Sequence, residues 1–597
     1  MKKIISLLLA VITALSCGVM AAGCAPSTIT QIYLLNFDGG VGSEWLEADV
    51  AEFTKLVEEK SYEEGKTGVK FRIDRTMGLS PSTMNTTGYH IYFDEAQTDV
   101  RALSANGYLV DLTALVTTPL TEYNESRTIA DKIDATYSSK LKGSDGNWYG
   151  LPYYEWYPGI IYDLDNFEKY HLYIADNSVA GTAVDTITRF GQPVRFLKNG
   201  RVEANRSCGN DGIKGTDDDG LPTTLIEFMS LCQRMIDKGV TPFQTTGMHQ
   251  AYTNYLLEAI WGSLAGYDKM RAYYDLSGEI EVVKRDAEDN LVFTDEPLFT
   301  GLVGKGNDGA GTRVEGNYIM KPETERITLN ADNGYRAKDM VERYYSVAFL
   351  EIAQREGWFS EDSTTSSISH VDAQENFIFN GRTYGPTTKE TCGMLIEGAY
   401  WYQESQRSGA LDDYFMEEEK DKPLGWMSLP TALGLNGESV TSQANAREVA
   451  LLETSQSFVT LNKTAFKNKD GVLQACLDFV RFMYSDARLR SFTRITGIAK
   501  GGMYYDLEDE DLETMNEYQQ SVWALRSKNK VVLAGSNSPA YIARQKKIDI
   551  NSLMGLWTPT ILGTKYGSYI QAIRKDSKNL INAQNIFSAT SVKQSAW

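Results

Sequence analysis

Residues 90–113, HIYFDEAQTDVRALSANGYLVDLT, place a short apolar run against an acidic turn and then a helical pattern. With Tyr89 before it, YHIYFDE (89–95) reads as a strand that feeds a helix around Val100 to Leu103. Upstream, QIYLLNF (31–37) reads as another strand. It is followed by SEWLEADVAEFTKLVEEK, whose Trp45, Leu46, Val50, Phe53, Leu56 and Val57 recur at helical spacing, and then by the strand VKFRID. Strands that alternate with helices imply βαβ units and a mainly parallel sheet. Ligands bind at the carboxyl ends of such strands, where this chain places Phe37, Asp38, Asp94 and Glu95.

The same alternation continues downstream. LPTTLIEFMSLCQRMIDKG offers Thr224 and Glu227 as a capping box, spaces its apolar residues for a helix and stops at Gly239. A second helix is expected from about Arg336 to Glu356, closed by Gly357, and two more over GVLQACLDFVRFMYS and after Ser485. The Gly-rich, charged stretch 265–334, with strand-like GEIEVV and NLVFT, reads as an insertion. At 597 residues the chain exceeds what one hydrophobic core sustains, so two or more lobes are expected. A formal net charge of -20 argues against nucleic acid, which needs a basic face.

The N-terminus carries Lys2 and Lys3, an apolar run from Ile4 to Leu15, and small residues up to AAGC at Cys24. This is an export signal over 1–23, and its apolar core is too short to span a bilayer. AAGC followed by Ala25, Pro26 and Ser27 resembles a lipobox, which implies a lipid on Cys24 and a place on the outer face of a bacterial cell membrane. Ala21 stands where Leu is usual; Cys17 and secretion without lipid are the alternatives. Cys208, Cys232, Cys392 and Cys476 then remain, read as buried thiols or, for Cys208 and Cys232, a disulfide; spacing does not settle the pairing.

Enzyme motifs find little purchase. The four His are scattered, no GxSxG elbow exists, and GKT at 65–67 lacks the glycine and the strand of a phosphate loop. A carboxylate pair for glycoside hydrolysis forms in space, so sequence leaves it open.

Several segments, in order, resemble the extracellular solute-binding proteins of carbohydrate ABC importers, the family that includes maltose-binding protein. They are the stretch at 90–113, NWYGLPYYEWYPGIIYDLDNFE (147–168), LPTTLIEFMSLCQRM, CGMLIEGAYWYQES (392–405), GWMSLP (425–430) and CLDFVRFMYSDARLRSFTRITGIAKGG (476–502). The resemblance implies an α/β, two-lobe periplasmic-binding-protein-like fold with the ligand cleft between lobes. Lobe one would take 24–152 and 456–505, and lobe two 153–455 and 506–597 with insertions near 195–220 and 265–334. It implies a monomeric carrier with no organic cofactor, whose partners are a carbohydrate and the permease subunits of an importer. A surface glycan hydrolase and a carrier of a non-sugar solute are the alternatives.

A sugar has hydroxyl edges and an apolar C–H face, so a sugar cleft wants aromatic rings with polar groups nearby. On the family pattern the crossing between lobes offers Tyr153, Glu155, Trp156 and Tyr157, the turn GAYWYQ offers Tyr400 and Trp401, and LMGLWTPT offers Trp557. Asp94 and Glu95 are candidate acceptors for sugar hydroxyls. Separately, GNDGIKGTDDDGLP (209–222) places Asn210, Asp211, Asp217, Asp218 and Asp219 among four glycines, as structural Ca2+ would require, although Phe228 stands where an EF-hand has its bidentate Glu.

Overall fold

The computed structural model describes residues 28–597 other than 38, 76–83, 85, 95–99, 250, 306–312, 316–317, 454–456, 535–559, 562–563, 566–568 and 576–580. The export signal, Cys24, Glu95 and Trp557 therefore lie outside the described residues, and only the backbone of Asp94 is described. Among the described residues no helix is long and apolar enough to cross a membrane.

Two α/β lobes form around separate sheets. The first sheet has the strand order Val69–Asp74, Thr30–Asn36, Ile91–Asp94, Phe458–Leu461, Leu151–Pro152. The first three run parallel, as the βαβ reading requires. Phe458–Leu461 then inserts antiparallel to both neighbours, Phe458 lying opposite Asp94 on one side and Pro152 on the other. Helix Glu44–Leu56 supplies the crossover and buries Trp45, Leu46 and Phe53. Phe53 meets Phe479 of helix Asp470–Met483 at 5.2 Å, so the late segment packs against the early one.

The second sheet runs Leu424–Trp426, Pro158–Asp163, Cys392–Gly398, Thr241–Gln244. Every residue of Pro158–Asp163 and Cys392–Gly398 is buried, which is how strands covered on both faces read. Helix Leu225–Asp237 starts with the expected box: Thr224 accepts from the Glu227 N–H, and the Glu227 carboxylate accepts from the Thr224 N–H. Helix Val341–Arg355 covers the same core.

The stretch 265–334 needs one correction. Its first residues belong to helix Ala251–Asp275, in which Gly266 alone leaves helical geometry, at φ 74° and ψ 172°. Glycine adopts that conformation without a Cβ penalty, so the chain breaks locally and resumes, and Met270, Tyr273 and Tyr274 return to the core. Beyond it, Gly278–Val283 pairs with Thr324–Leu329, and Phe293–Pro297 with Met320–Pro322. The 208 to 232 disulfide does not form: Cys208, Cys232, Cys392 and Cys476 are all free and buried, Cys232 inside the core-facing side of its helix.

Three stretches of chain cross between the lobes side by side. The Tyr153 N–H donates to the Ser457 carbonyl at 3.2 Å and the Glu155 N–H to the Ala499 carbonyl at 3.1 Å. These bonds tie 153–157 to the crossing before Phe458–Leu461 and to the one that follows helix Asp486–Thr496. The hinge is thus a small ladder of its own.

Candidate functional site

The crossing 153–157 carries its side chains into different surroundings, and the adjacent rings of Tyr153 and Tyr154 touch each other, 4.7 Å apart. Tyr153, Glu155 and Tyr157 are locked inward. The Tyr153 hydroxyl donates to Asn36 Oδ1 at 2.8 Å, with its ring against Trp45 and Phe93 of the first lobe. Glu155, with no exposed surface, receives Arg526 Nε at 2.7 Å and the Gly502 N–H at 3.3 Å. Tyr157 packs on Trp426 of the second sheet, ring centres 5.9 Å apart. Trp401, also fully buried, packs against Tyr518 at 6.1 Å. The structure therefore places these four of the expected contacts in cores or in the hinge.

Trp156 and Tyr400 are brought together. Their rings meet edge to face at 5.4 Å, and Trp156 also lies 5.2 Å from Tyr255 at the start of helix Ala251–Asp275. Tyr252, one turn earlier, lies tilted against Tyr255 with ring centres 4.9 Å apart. His370, at the start of helix His370–Ile378, lies over Tyr252, with the His249 ring 5.1 Å from it. Trp156 and Tyr400 are 8% and 7% exposed, whereas Tyr252 and Tyr255 are half-buried and form the rim. A Cβ on Gly398 would sit 2.6 Å from Tyr400 Cε1, so glycine is what lets that ring fold back over the strand end.

Two carboxylates stand beside the rings. Glu397 ends the all-buried strand Cys392–Gly398, opposite Gly159 of the neighbouring strand, and is 1% exposed. Its oxygens accept from Gln374 Nε2 at 3.1 Å and from the Gly398 N–H at 3.2 Å. Glu404, in the first turn of helix Trp401–Ser408, accepts from the same Gln374 Nε2 at 3.0 Å. Among the described residues no Lys, Arg or His forms an ion pair with either carboxylate. Burial pushes the Glu397 carboxyl well above the usual range, and the charge of Glu404 adds to that push. Two buried groups here have no partner among the described residues: Gln374 Oε1 and Trp156 Nε1.

The lobes meet beside this cluster. The Gly42 loop follows the carboxyl end of Thr30–Asn36, and a Cβ built on Gly42 would lie 3.1 Å from Cδ and Nη1 of Arg407, on the helix that follows the carboxyl end of Cys392–Gly398. Carboxyl ends of both sheets therefore converge where the rings and the acid pair sit.

The acidic loop lies elsewhere, against Trp426 and Lys528, around a cavity of about 30 Å³. Its oxygens are engaged by the chain itself. Asp218 Oδ2 accepts the N–H groups of Asn210 and Asp211, Asp219 Oδ2 accepts that of Gly215, and Asp211 pairs with Lys528 Nζ at 3.0 Å. Asn210 braces Ser428, Leu429 and Thr431. Burial and the charge of Asp211 push Asp218 up to about 6, and burial raises Asp217. Asp219 Oδ1 has no partner among the described residues, and there no set of three or more His, Cys, Asp or Glu side chains is arranged to hold a metal ion.

Sequence reasoning did not single out Glu397, Glu404, Gln374, Tyr252 or Tyr255. Two signals pointed to them: a carboxylate closing the wholly apolar strand of CGMLIEG, and the i, i+3 tyrosines of YTNY on one helix face.

No protein-family model matches the chain, and no curated protein matches it in sequence. Among solved structures it is similar to a chitin oligosaccharide binding protein at 12% identity, over 94% of this chain and 97% of that one, with a TM-score of 0.49. It is also similar to the binding protein of an ABC transporter from Bifidobacterium animalis subsp. lactis in complex with mannobiose, at 14% identity over 96% of each chain and a TM-score of 0.49. A third is the apo form of RafE from Streptococcus pneumoniae, at 13% identity over 95% and 98% of the two chains and a TM-score of 0.46. At these values the likeness adds nothing to the strand order and crossings described above.

Proposed function

We propose that this chain is a solute-binding protein that captures a carbohydrate between its lobes and delivers it to the permease of an ABC importer. The observation that carries the reading is the site's position: aromatic faces and acceptors gather at the hinge, where the carboxyl ends of two sheets joined by three adjacent crossings converge. Trp156 and Tyr400, with Tyr255, supply ring faces, while Asp94 and Glu95 would approach from the first lobe. Trp156 and Tyr400 are nearly buried, so we propose that a sugar enters when the lobes part. A ligand that bridges both lobes then favours the closed arrangement by its differential affinity.

Anchoring through a lipid on Cys24 follows from the N-terminal motif, and Cys24→Ser should release the protein from the membrane fraction. Ca2+ at the acidic loop is a separate proposal, supported by the unpartnered Asp219 Oδ1 and by the raised Asp217 and Asp218 carboxyls. Chelation should then lower the melting temperature, and Asp217→Ala with Asp219→Ala should remove that sensitivity.

The central test is a thermal-shift screen of the full chain against oligosaccharides, followed by calorimetric titration and small-angle scattering of the best ligand. Binding with compaction is the expected result. One observation favours a second reading: Glu397 and Glu404 are close enough to share one amide, as a hydrolytic carboxylate pair would need. Prolonged incubation with the bound oligosaccharide distinguishes the two. Recovery of intact sugar supports the carrier; cleavage replaces it with a glycan hydrolase.

A further inference from the structure

We propose that the cleft selects a carbohydrate bearing a protonated amine, whose ammonium docks against Glu397 and Glu404 while its ring stacks among Trp156, Tyr255 and Tyr400. This rests on the carrier reading of the site and adds the chemical class of the ligand.

Several other buried carboxylates of this molecule hold a cation, whereas Glu227 is met by four hydroxyl and backbone donors instead. Asp163 holds Lys422 at 2.7 Å, Glu351 holds Arg355 at 2.7 Å, and Asp339 holds both Arg285 and Arg336, at 2.7 and 2.8 Å. Glu397 is as buried as these, yet it faces a second carboxylate, one amide and one backbone N–H. A buried charge without a counterion is costly, and removing water from two is more so. The Gln374 amide bridges the pair but brings no charge, and its own Oε1 is left without a donor.

What surrounds the pair also fits a cation. Tyr252 and Tyr400 both feel the charges of Glu397 and Glu404, and Tyr400 lies against Trp156. Aromatic faces attract ammonium groups through their quadrupole, more strongly once water is excluded. The Trp156 Nε1 hydrogen, buried and unpartnered, remains to donate to a sugar oxygen. Without a ligand, burial and the charge of Glu404 favour a proton on Glu397; a neutral sugar leaves that state unchanged, whereas an ammonium can take the proton's place as the compensating charge. An amino sugar supplies donors, charge and an apolar face together.

The experiment is calorimetric titration of the full chain with glucosamine oligomers and with N-acetylglucosamine oligomers of the same length, in mildly acidic buffer where the free amine is protonated. Glucosamine oligomers should bind tighter by about tenfold or more, with the margin shrinking as salt is raised. Glu397→Gln and Glu404→Gln should each erase the margin. Glu404 is half-buried, so its variant carries the test should the first fail to fold. Equal affinities, tighter binding of the acetylated oligomers, or a margin that survives both substitutions would overturn the proposal. Binding of malto- or manno-oligosaccharides with no binding of amine-bearing ones would also overturn it while leaving the carrier reading standing. Silence toward every carbohydrate would remove both.

Discussion

Glu155 and Glu397 sit within the same hinge region, and both are almost wholly buried, yet they are stabilised differently. Glu155 has a guanidinium: burial alone would lower the Arg526 pKa, and the charge and hydrogen bond of Glu155 more than reverse it. Glu397 has an amide, a backbone N–H and a like charge. A carboxylate compensated inside the chain ties crossings together, while Glu397, with no cation against it among the described residues, is the one we propose meets a ligand's ammonium. Equal burial thus hides opposite roles, and the partner list tells them apart.

The contrast breaks most visibly at Glu155. Glu155→Ala strands Arg526 in the hinge and should cost about 3 to 5 kcal/mol of stability in equilibrium denaturation. A loss within the range of a surface pair, under about 1 kcal/mol, would mean the ion pair is not what secures the crossings. Trp401→Ala should also cost about 3 to 5 kcal/mol, since its fully buried ring leaves a cavity, while the folded fraction keeps its ligand affinity. Trp156→Ala is expected to do the converse at the site, weakening ligand by about 1 to 3 kcal/mol in titration.

The pH response sharpens the comparison further. The folded-state pKa of Glu397 lies above its unfolded value, so its contribution is fully present below the ordinary carboxylate range and is lost as pH rises through the folded value. Melting temperature followed from acid to neutral pH should therefore include a fall that Glu397→Gln abolishes; an identical profile in the variant would contradict the burial argument. The smallest effect is a calibration outside the hinge. Thr224→Ala removes one cap of helix Leu225–Asp237 and should cost about 1 kcal/mol without changing affinity.

The parallel half of the first sheet and the capped helix of the second lobe were legible because they are local: their hydrophobic periods and caps lie within a few tens of residues. Phe458–Leu461 was not, because its partners lie more than three hundred residues earlier and no short pattern records them. At the site, the ring-rich crossing announced itself by composition, but composition does not say which side of an extended segment faces the ligand. The packing partners of each ring do. Glu397 was hidden for another reason: a carboxylate at a strand end reads as solvated until helices 370–378 and 401–408 are seen to cover it. In GNDGIKGTDDDG the oxygens could be counted, but not the backbone N–H groups and the lysine that already occupy several of them.

The place of Phe458–Leu461 between Ile91–Asp94 and Leu151–Pro152 also sets an order of events during synthesis. The ribosome makes the first lobe's opening strands early but cannot supply the strand that joins Ile91–Asp94 to Leu151–Pro152 until residue 461 has emerged. By then all four strands of the second sheet, ending at Trp426, are available to pair. Closing so long a loop is entropically slow, so the second sheet can pair before the first is complete, although helices Tyr569–Lys575 and Ala583–Thr590, which join the second lobe's core, are made last of all.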